Sequence, residues 1–478
     1  MNSKLSFPIT DKLNANTLKT FGKRLDGNYY LPFQEQYHNT CSLDNGAIDH
    51  KPTLVVLVAS INDIEESIKF AVANNLRISV KCGGHMPSGK AIKTKGLVID
   101  MCLLNKVDVC YQANKQLNVL VDGGALIGDA DRCLNQYGLL MTNGISQSVG
   151  IAGFTLGGGL SLLSRKYGLA IDSLLNAELL LSDAKPIQVN EKINSDLFWA
   201  IKGAGHCNFG VVTKLEFRTF DTPKTFHFII AWSITQARQV LNKYNQYMSS
   251  ASDNILIYCA ISRYSSADTI ISFSPSYVRG EMFLVMEGFY YGNSISQADL
   301  ICREVLSWGK ACVFIKSDKS IFEHKKNYDE QFESNYLKKF WKSGILYGDI
   351  DDVFITIIVD YFDKYPHFLG RLVIEPLGGA IQNVSLTSSA FIHRQANFVF
   401  SIKSVWMSDK IEEAQANIQW LNKLFDLLKP YYEYSYQNYD DNTLCDPLTA
   451  YYGKEKQKLI ELKHHYDPVN LFSGIISP

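Results

Sequence analysis

Residues 80–89, VKCGGHMPSG, set a histidine directly after two adjacent glycines at the end of an apolar run. Two glycines following a strand let the backbone curl tightly and aim N–H groups inward, which suits a pyrophosphate. His85, at the apex of that turn, would face the same ligand. Standing alone, the segment would read better as a surface turn with an incidental histidine. It does not stand alone. Residues 148–175, SVGIAGFTLGGGLSLLSRKYGLAIDSLL, carry glycines at 150, 153, 157, 158 and 159. That spacing fits neither the GxGxxG dinucleotide turn nor GxxxxGK[ST], so a Rossmann or P-loop reading fails. A third glycine-rich turn, in DLFWAIKGAGHCNFGVVTKLEF (196–217), enters an alternating strand. Near the far end stand YQNYDD (436–441), AYYG (450–453) and YDPVNLF (466–472).

The surrounding pattern supplies the elements that position these residues. Residues 54–58 predict a strand, and Asn62-x-x-Glu65 predicts an N-cap with its capping-box partner. The helix so begun has an apolar stripe of Ile64, Ile68, Ala71 and Val72. Ile78 and Val80 form a short strand that runs into the double-glycine turn, and 125–137 predict a helix closed by Gly138. From about 220 to 430 the chain turns aromatic and β-branched, as in FHFIIAW, ILIYCAI and DVFITIIV. Those runs predict strands of an antiparallel sheet with one covered face. A long amphipathic helix is predicted over 408–429, stopped by Pro430, and a short one ends at Tyr466-Asp467-Pro468. Strand–helix–strand units followed by a strand-rich block give an α+β class with a nucleotide-type first domain.

Composition narrows the partners. With 47 Lys+Arg against 48 Asp+Glu among 478 residues, the net charge is −1, which creates no field for nucleic acid or an anionic membrane. The 46% hydrophobic content is enough for large cores and excludes disorder. No run approaches a membrane span, and the N-terminal residues lack the apolar core of a signal peptide, so a soluble cytoplasmic protein is expected. None of the ten cysteines is paired as CxxC, and no Cys/His pairs have zinc-ligand spacing, so neither a disulfide framework nor a metal is expected. The oligomeric state is left open.

The motifs together resemble the FAD-linked oxidases of the berberine-bridge-enzyme-like group, within the vanillyl-alcohol-oxidase superfamily with its PCMH-type FAD-binding fold. The resemblance runs from NGAIDHKP (45–52) to YDPVNLF, with five motifs in the family's order. It implies a split FAD domain, 1–219 plus 431–478, enclosing a substrate domain of 220–430 built on an antiparallel sheet covered by helices. His85 stands where the family's histidine bonds covalently to the flavin 8α-methyl group, which raises the flavin potential. Lys81 replaces the family's arginine, keeping a positive charge and losing the planar fork. Many relatives add a second bond from a cysteine, where this chain has Ser146. An alkoxyl group does not readily replace a thiolate, so a single covalent link is implied.

The resemblance further implies flavin contacts from Cys82, Gly83, Gly84, Met86 and Gly89, from Gly150, Gly153 and Gly159, from Asn208, Gly210 and Val212, and from Asn438. Val149 matches a position that shapes the oxygen pocket, where valine goes with oxidases; the bland alternative is a core residue in a tight turn. Tyr439 matches the catalytic base. Glu375, three residues before Gly378-Gly379, lies where some relatives place an active-site tyrosine. It reads as a base, as a binder of a substrate amine or hydroxyl, or as a sheet-edge carboxylate in solvent. His393-Arg394 match a structural motif. Ser401 and Pro87 replace larger polar or aromatic residues, so no branch's specificity transfers. The implied activity is oxidation of a C–H beside a hydroxyl or amine of a small molecule, with O2 as acceptor. A dehydrogenase with another acceptor, a flavin-binding protein without turnover, and a plain carbohydrate-binding protein are the competing readings.

Overall fold

The computed structural model describes residues 13–111, 117–263, 281–332, 337–362 and 370–477. It is an α+β protein with three main sheets. Short apolar runs near the start give β1 (Asn28–Tyr30), β2 (Leu54–Leu57), β3 (Ile78–Lys81) and β4 (Leu97–Asp100). They lie in the order β1-β2-β4-β3, with β2, β4 and β3 mutually parallel. Leu54, Val55, Val56, Leu97, Val98 and Ile99 are fully buried, as a parallel strand covered on both faces requires. Next come β5 (Val107–Tyr111), β6 (Leu117–Asp122), β7 (Leu139–Leu140), β8 (Leu174–Leu180), β9 (Pro186–Asn190), β10 (Val211–Arg218) and β11 (Phe220–Asp221). All but β7 and β11, which pair together, form an antiparallel sheet in the order β5-β6-β10-β8-β9.

The aromatic block builds a seven-stranded antiparallel sheet from β12 (Thr225–Ser233), β13 (Ile255–Arg263), β14 (Met282–Tyr291), β15 (Val313–Ser317), β16 (Lys338–Leu346), β17 (Arg371–Pro376) and β18 (Phe398–Trp406). Their order is β15-β12-β14-β13-β17-β18-β16. The period of two decides which residues are core. Phe398, Phe400 and Ile402 pack with helices Ala237–Met248, Asp352–Phe362 and Ile411–Leu428, while Ser401, Lys403 and Val405 point to the opposite face. The C-terminal residues return to the first sheets. Ser473 N–H donates to the Ile78 carbonyl at 2.7 Å, and buried Lys463 donates to Asn208 O at 2.6 Å while pairing with Asp467.

Local expectations fail in informative places. DVFITIIV is not a strand: Asp352–Phe362 is a helix that buries Phe354, Ile355, Ile358 and Phe362. Those spacings are helical, and they outweigh the strand preference of a β-branched run. Asp351 Oδ1 accepts from Phe354 N–H at 2.7 Å and begins it. Asp351→Ala should lower the unfolding free energy by about 1 kcal/mol, read as a denaturant-midpoint shift. The helix expected to start at Asn62 is Ile61–Ala73, and its box is made by Ser60 and Asp63 instead. The helices expected over 125–137 and 408–429 are Ile127–Asn135 and Ile411–Leu428, with frayed ends. No described helix is long and apolar enough to cross a membrane.

Candidate active site

A cavity of about 700 Å³ is lined by loops of the first two sheets and by the open face of the third. That size is within the roughly 300–1,000 Å³ usual for small-molecule and cofactor sites. One wall is the turn after β3. A Cβ on Gly83 would lie 2.3 Å from the Ser148 carbonyl, and one on Gly150 would lie 2.5 Å from Cys82 Sγ. The two loops therefore touch backbone to backbone, a contact that only glycine permits at these positions. Cys82, Gly83, Gly84, His85, Met86, Ser146, Val149, Gly150, Gly153, Gly210, Val212 and Asn438 all line the cavity.

His85 sits between a hydroxyl pair and a carboxylate. Its Nε2 is 2.7 Å from Ser148 Oγ, which lies 3.2 Å from Ser146 Oγ. Its Nδ1 is 3.8 Å from Asp44 Oδ1, and both Asp44 oxygens accept from Lys339 Nζ at 2.7 Å. Burial alone would raise the Asp44 pKa, but His85, Lys339 and Lys403 outweigh it and hold the carboxyl below the usual range.

The opposite wall is built by strand register. Trp341 on β16, Lys403 on β18, Arg371 on β17 and Ser262 on β13 stand side by side across four strands, and all four line the cavity. Glu375, two residues along β17 from Val373, points the same way and accepts from Tyr439 Oη at 2.8 Å. Tyr439 stacks on Trp341 with ring centroids 4.4 Å apart, and Lys403 Nζ lies 3.6 Å from the centre of the same indole. Burial pushes the Glu375 carboxyl up to about 7, with Tyr439 and Lys403 pulling the other way. Burial likewise brings the Lys403 ammonium down to about 7. Glu375 is thus no sheet-edge carboxylate in bulk solvent.

Four expected contacts fall outside the lining. Lys81 points away and pairs with buried Asp100 at 2.9 Å, so its charge is spent beneath the turn. Gly89 is packed against Ile48, and the Gly159 N–H donates to Tyr436 Oη at 3.1 Å. Asn208 is fully buried, donating to Ala204 O at 2.6 Å and accepting from Ile476 N–H at 2.9 Å. Arg394 and His393 hold structure together: Arg394 pairs with Asp172 at 2.7 Å, and His393 Nε2 is 3.2 Å from Tyr451 O.

Several site residues escaped the sequence reading. Asp44, Ser148, His206, Lys339, Trp341, Arg371, Lys403 and Tyr436 carry roles that no motif spacing reveals. For Lys403 a weaker signal existed: in FVFSIKSVW it stands two residues from Ser401, hence on the same strand face. Tyr436 Oη gathers the Gly159 and Leu160 N–H groups and the Asn438 amide at 2.7–3.1 Å, fixing the segment that carries Tyr439. Asp440 holds the same segment to the His85 loop by accepting from Ser88 N–H at 3.0 Å and Lys90 Nζ at 2.8 Å.

Comparison with known proteins agrees with this architecture. Residues 52–190 match the family described as an FAD binding domain, and 435–474 match the berberine and berberine-like family. The FAD-linked oxidoreductase YgaK of Bacillus subtilis (strain 168) is 26% identical over 454 residues, covering 94% of this chain and 96% of that protein. Two solved structures share the fold. 6-Hydroxy-D-nicotine oxidase from Arthrobacter nicotinovorans superposes with a TM-score of 0.80 at 22% identity, covering 94% of this chain and 97% of that one. The carbohydrate oxidase from Microdochium nivale gives 0.82 at 21% identity, covering 96% and 99%. With an FAD-binding segment and a berberine-like segment at the two ends of one PCMH-type fold, this chain is an FAD-dependent enzyme similar along nearly its whole length to FAD-linked oxidoreductases.

Proposed function

We propose that this chain is an oxidase that carries FAD through a single covalent bond at His85 and oxidises a C–H beside a hydroxyl or amine of a small alcohol, sugar or alkaloid-like molecule. The carrying observation is the 2.8 Å contact between Tyr439 and Glu375 on the open face of the substrate sheet. The relatives named for 6-hydroxynicotine and for carbohydrate bracket the substrate classes. Residues 1–219 and 431–478 would hold the cofactor, and 220–430 the substrate.

The cavity fits such a cofactor. Its glycine-lined wall leaves backbone open to a ligand: a Cβ on Gly153 would meet nothing within 4 Å. The buried His206 Nδ1, on the same wall, has no hydrogen-bond partner among the described residues. Burial holds the His206 pKa below the ordinary value, so the ring is neutral at pH 7. FAD, when bound, supplies the hydride acceptor and returns electrons to O2 as H2O2.

The protein's own part is proton handling and positioning. Tyr439 takes the substrate's heteroatom proton as it passes its own to Glu375, whose pKa of about 7 suits a base working near neutrality. Trp341 fixes the phenol plane, and Lys403 tunes Glu375 from the neighbouring strand. Val149 beside the His85 loop supports O2 as acceptor by the resemblance to oxidases. The test is photoreduction without air followed by stopped-flow mixing with O2. Return of the oxidised spectrum within seconds is expected; return over many minutes would replace the oxidase by a dehydrogenase using another acceptor. A colourless purified protein would sink both.

A further inference from the structure

We propose that His227, Glu287 and His324 form a binding site for a divalent transition-metal ion, zinc fitting the donor set best, which pins a helix to the substrate sheet beside the cavity. The three residues come from β12, β14 and helix Ile321–Phe332, and their ligand atoms all lie within 4.8 Å of one another. His227 Nε2 is 2.8 Å and His324 Nε2 3.2 Å from the same carboxylate oxygen, Glu287 Oε1. In a tetrahedral zinc site the ligand atoms stand roughly 3.3 Å apart, so small side-chain rotations would bring these three donors to ligand spacing, with water taking the fourth position. Two imidazoles and a carboxylate are the mixed nitrogen–oxygen set zinc accepts.

The surroundings already orient these ligands. His227 Nδ1 is 3.2 Å from Ser317 Oγ, which settles the ring's other nitrogen and leaves Nε2 towards Glu287. Tyr258 Oη donates to the second carboxylate oxygen, so Oε1 is the one turned to the imidazoles. His324 Nε2 is buried and makes no aligned hydrogen bond, although it stands close to Oε1. A cation between them would satisfy that nitrogen and neutralise a carboxylate only 5% exposed.

The site's place in the fold gives it a role. Tyr258 lines the cavity, and Lys325, next to His324, pairs with buried Asp131 at 3.1 Å near β7. Holding helix Ile321–Phe332 to β12 and β14 therefore fixes both the cavity wall at Tyr258 and the ion pair that ties this helix to helix Ile127–Asn135. No spacing rule could find it, since His227 and Glu287 are 60 residues apart.

The flavin-loaded full chain, stripped with a chelator and dialysed, is titrated with Zn2+ by calorimetry. One tightly held zinc per chain is expected, with Ca2+ failing to compete. Ser317→Ala, which leaves all three ligands in place, should weaken binding roughly 10–100-fold, and His324→Ala should abolish it. Co2+ should give d–d absorption to the red of the flavin bands, lost in His324→Ala. No zinc binding by the wild type, or unchanged affinity in both variants, would overturn the site.

Discussion

Glu375→Gln is expected to lower kcat by about 10²–10⁴-fold and to erase the acid limb of the pH–rate profile, yet to stabilise the folded protein above neutral pH. The amide keeps an oxygen for Tyr439 Oη, 2.8 Å away in the wild type, but cannot take its proton. With the carboxyl at about 7, kcat/KM of the wild type rises with pH through that value as the base becomes ionised. Removing the cation that pulls Glu375 down should move the limb: Lys403→Met shifts it to higher pH. The stability arm needs no substrate. The folded state holds this proton up to about pH 7, whereas a free glutamate releases it near 4.5. The group's contribution to folding is therefore complete below 4.5 and lost as pH rises through 7. At pH 8 the wild type buries an anion that the amide variant does not, a difference of up to about 3 kcal/mol. Thermal unfolding at pH 5 and pH 8 should separate the two proteins only at pH 8. A Glu375→Gln enzyme that keeps the acid limb would remove Glu375 from proton transfer.

The residues legible in the sequence share a physical property: their role is written into local backbone. Gly83 before His85 and the glycine at 150 are demanded by close approach, and that demand survives as a spacing. Tyr439 was legible only through its motif, because nothing about an isolated tyrosine distinguishes it from packing. The rest of the site is assembled by register. Trp341, Lys403 and Arg371 are neighbours because β16, β18 and β17 pair at those residues, and Asp44 meets Lys339 across nearly three hundred residues. Sequence alternation tells which strand face a residue occupies, never which strand lies alongside. The misread helix at Asp352–Phe362 has the same cause: its preference for strand is local, while the sheet it covers is not. Lys81 misled for a related reason. Its position before the turn matches a cofactor-side cation, but the parallel neighbour β4 offers Asp100 directly opposite, and the buried pair forms there.

His85→Ala is expected to release all flavin on acid precipitation, where the wild type keeps a yellow pellet and a protein mass increased by FAD. Ser146→Ala should retain it. The argument rests on which nucleophiles the cavity offers. Burial pushes the Cys82 thiol up to about 12 and the Cys207 thiol up to about 11, so neither is a thiolate near neutrality, and Ser146 stands where a second link would need sulfur. His85 is different: an imidazole at the cavity wall, held by Ser148 at 2.7 Å on one nitrogen and facing the Asp44 carboxylate with the other. Ser148→Ala should therefore slow attachment without preventing it, because it frees the ring to turn rather than removing the nucleophile. Reconstituted with free FAD, His85→Ala should also show a lower flavin potential, since the electron-withdrawing attachment is gone. Full flavin retention in His85→Ala would place the bond elsewhere, and complete loss in Ser146→Ala would contradict the single link.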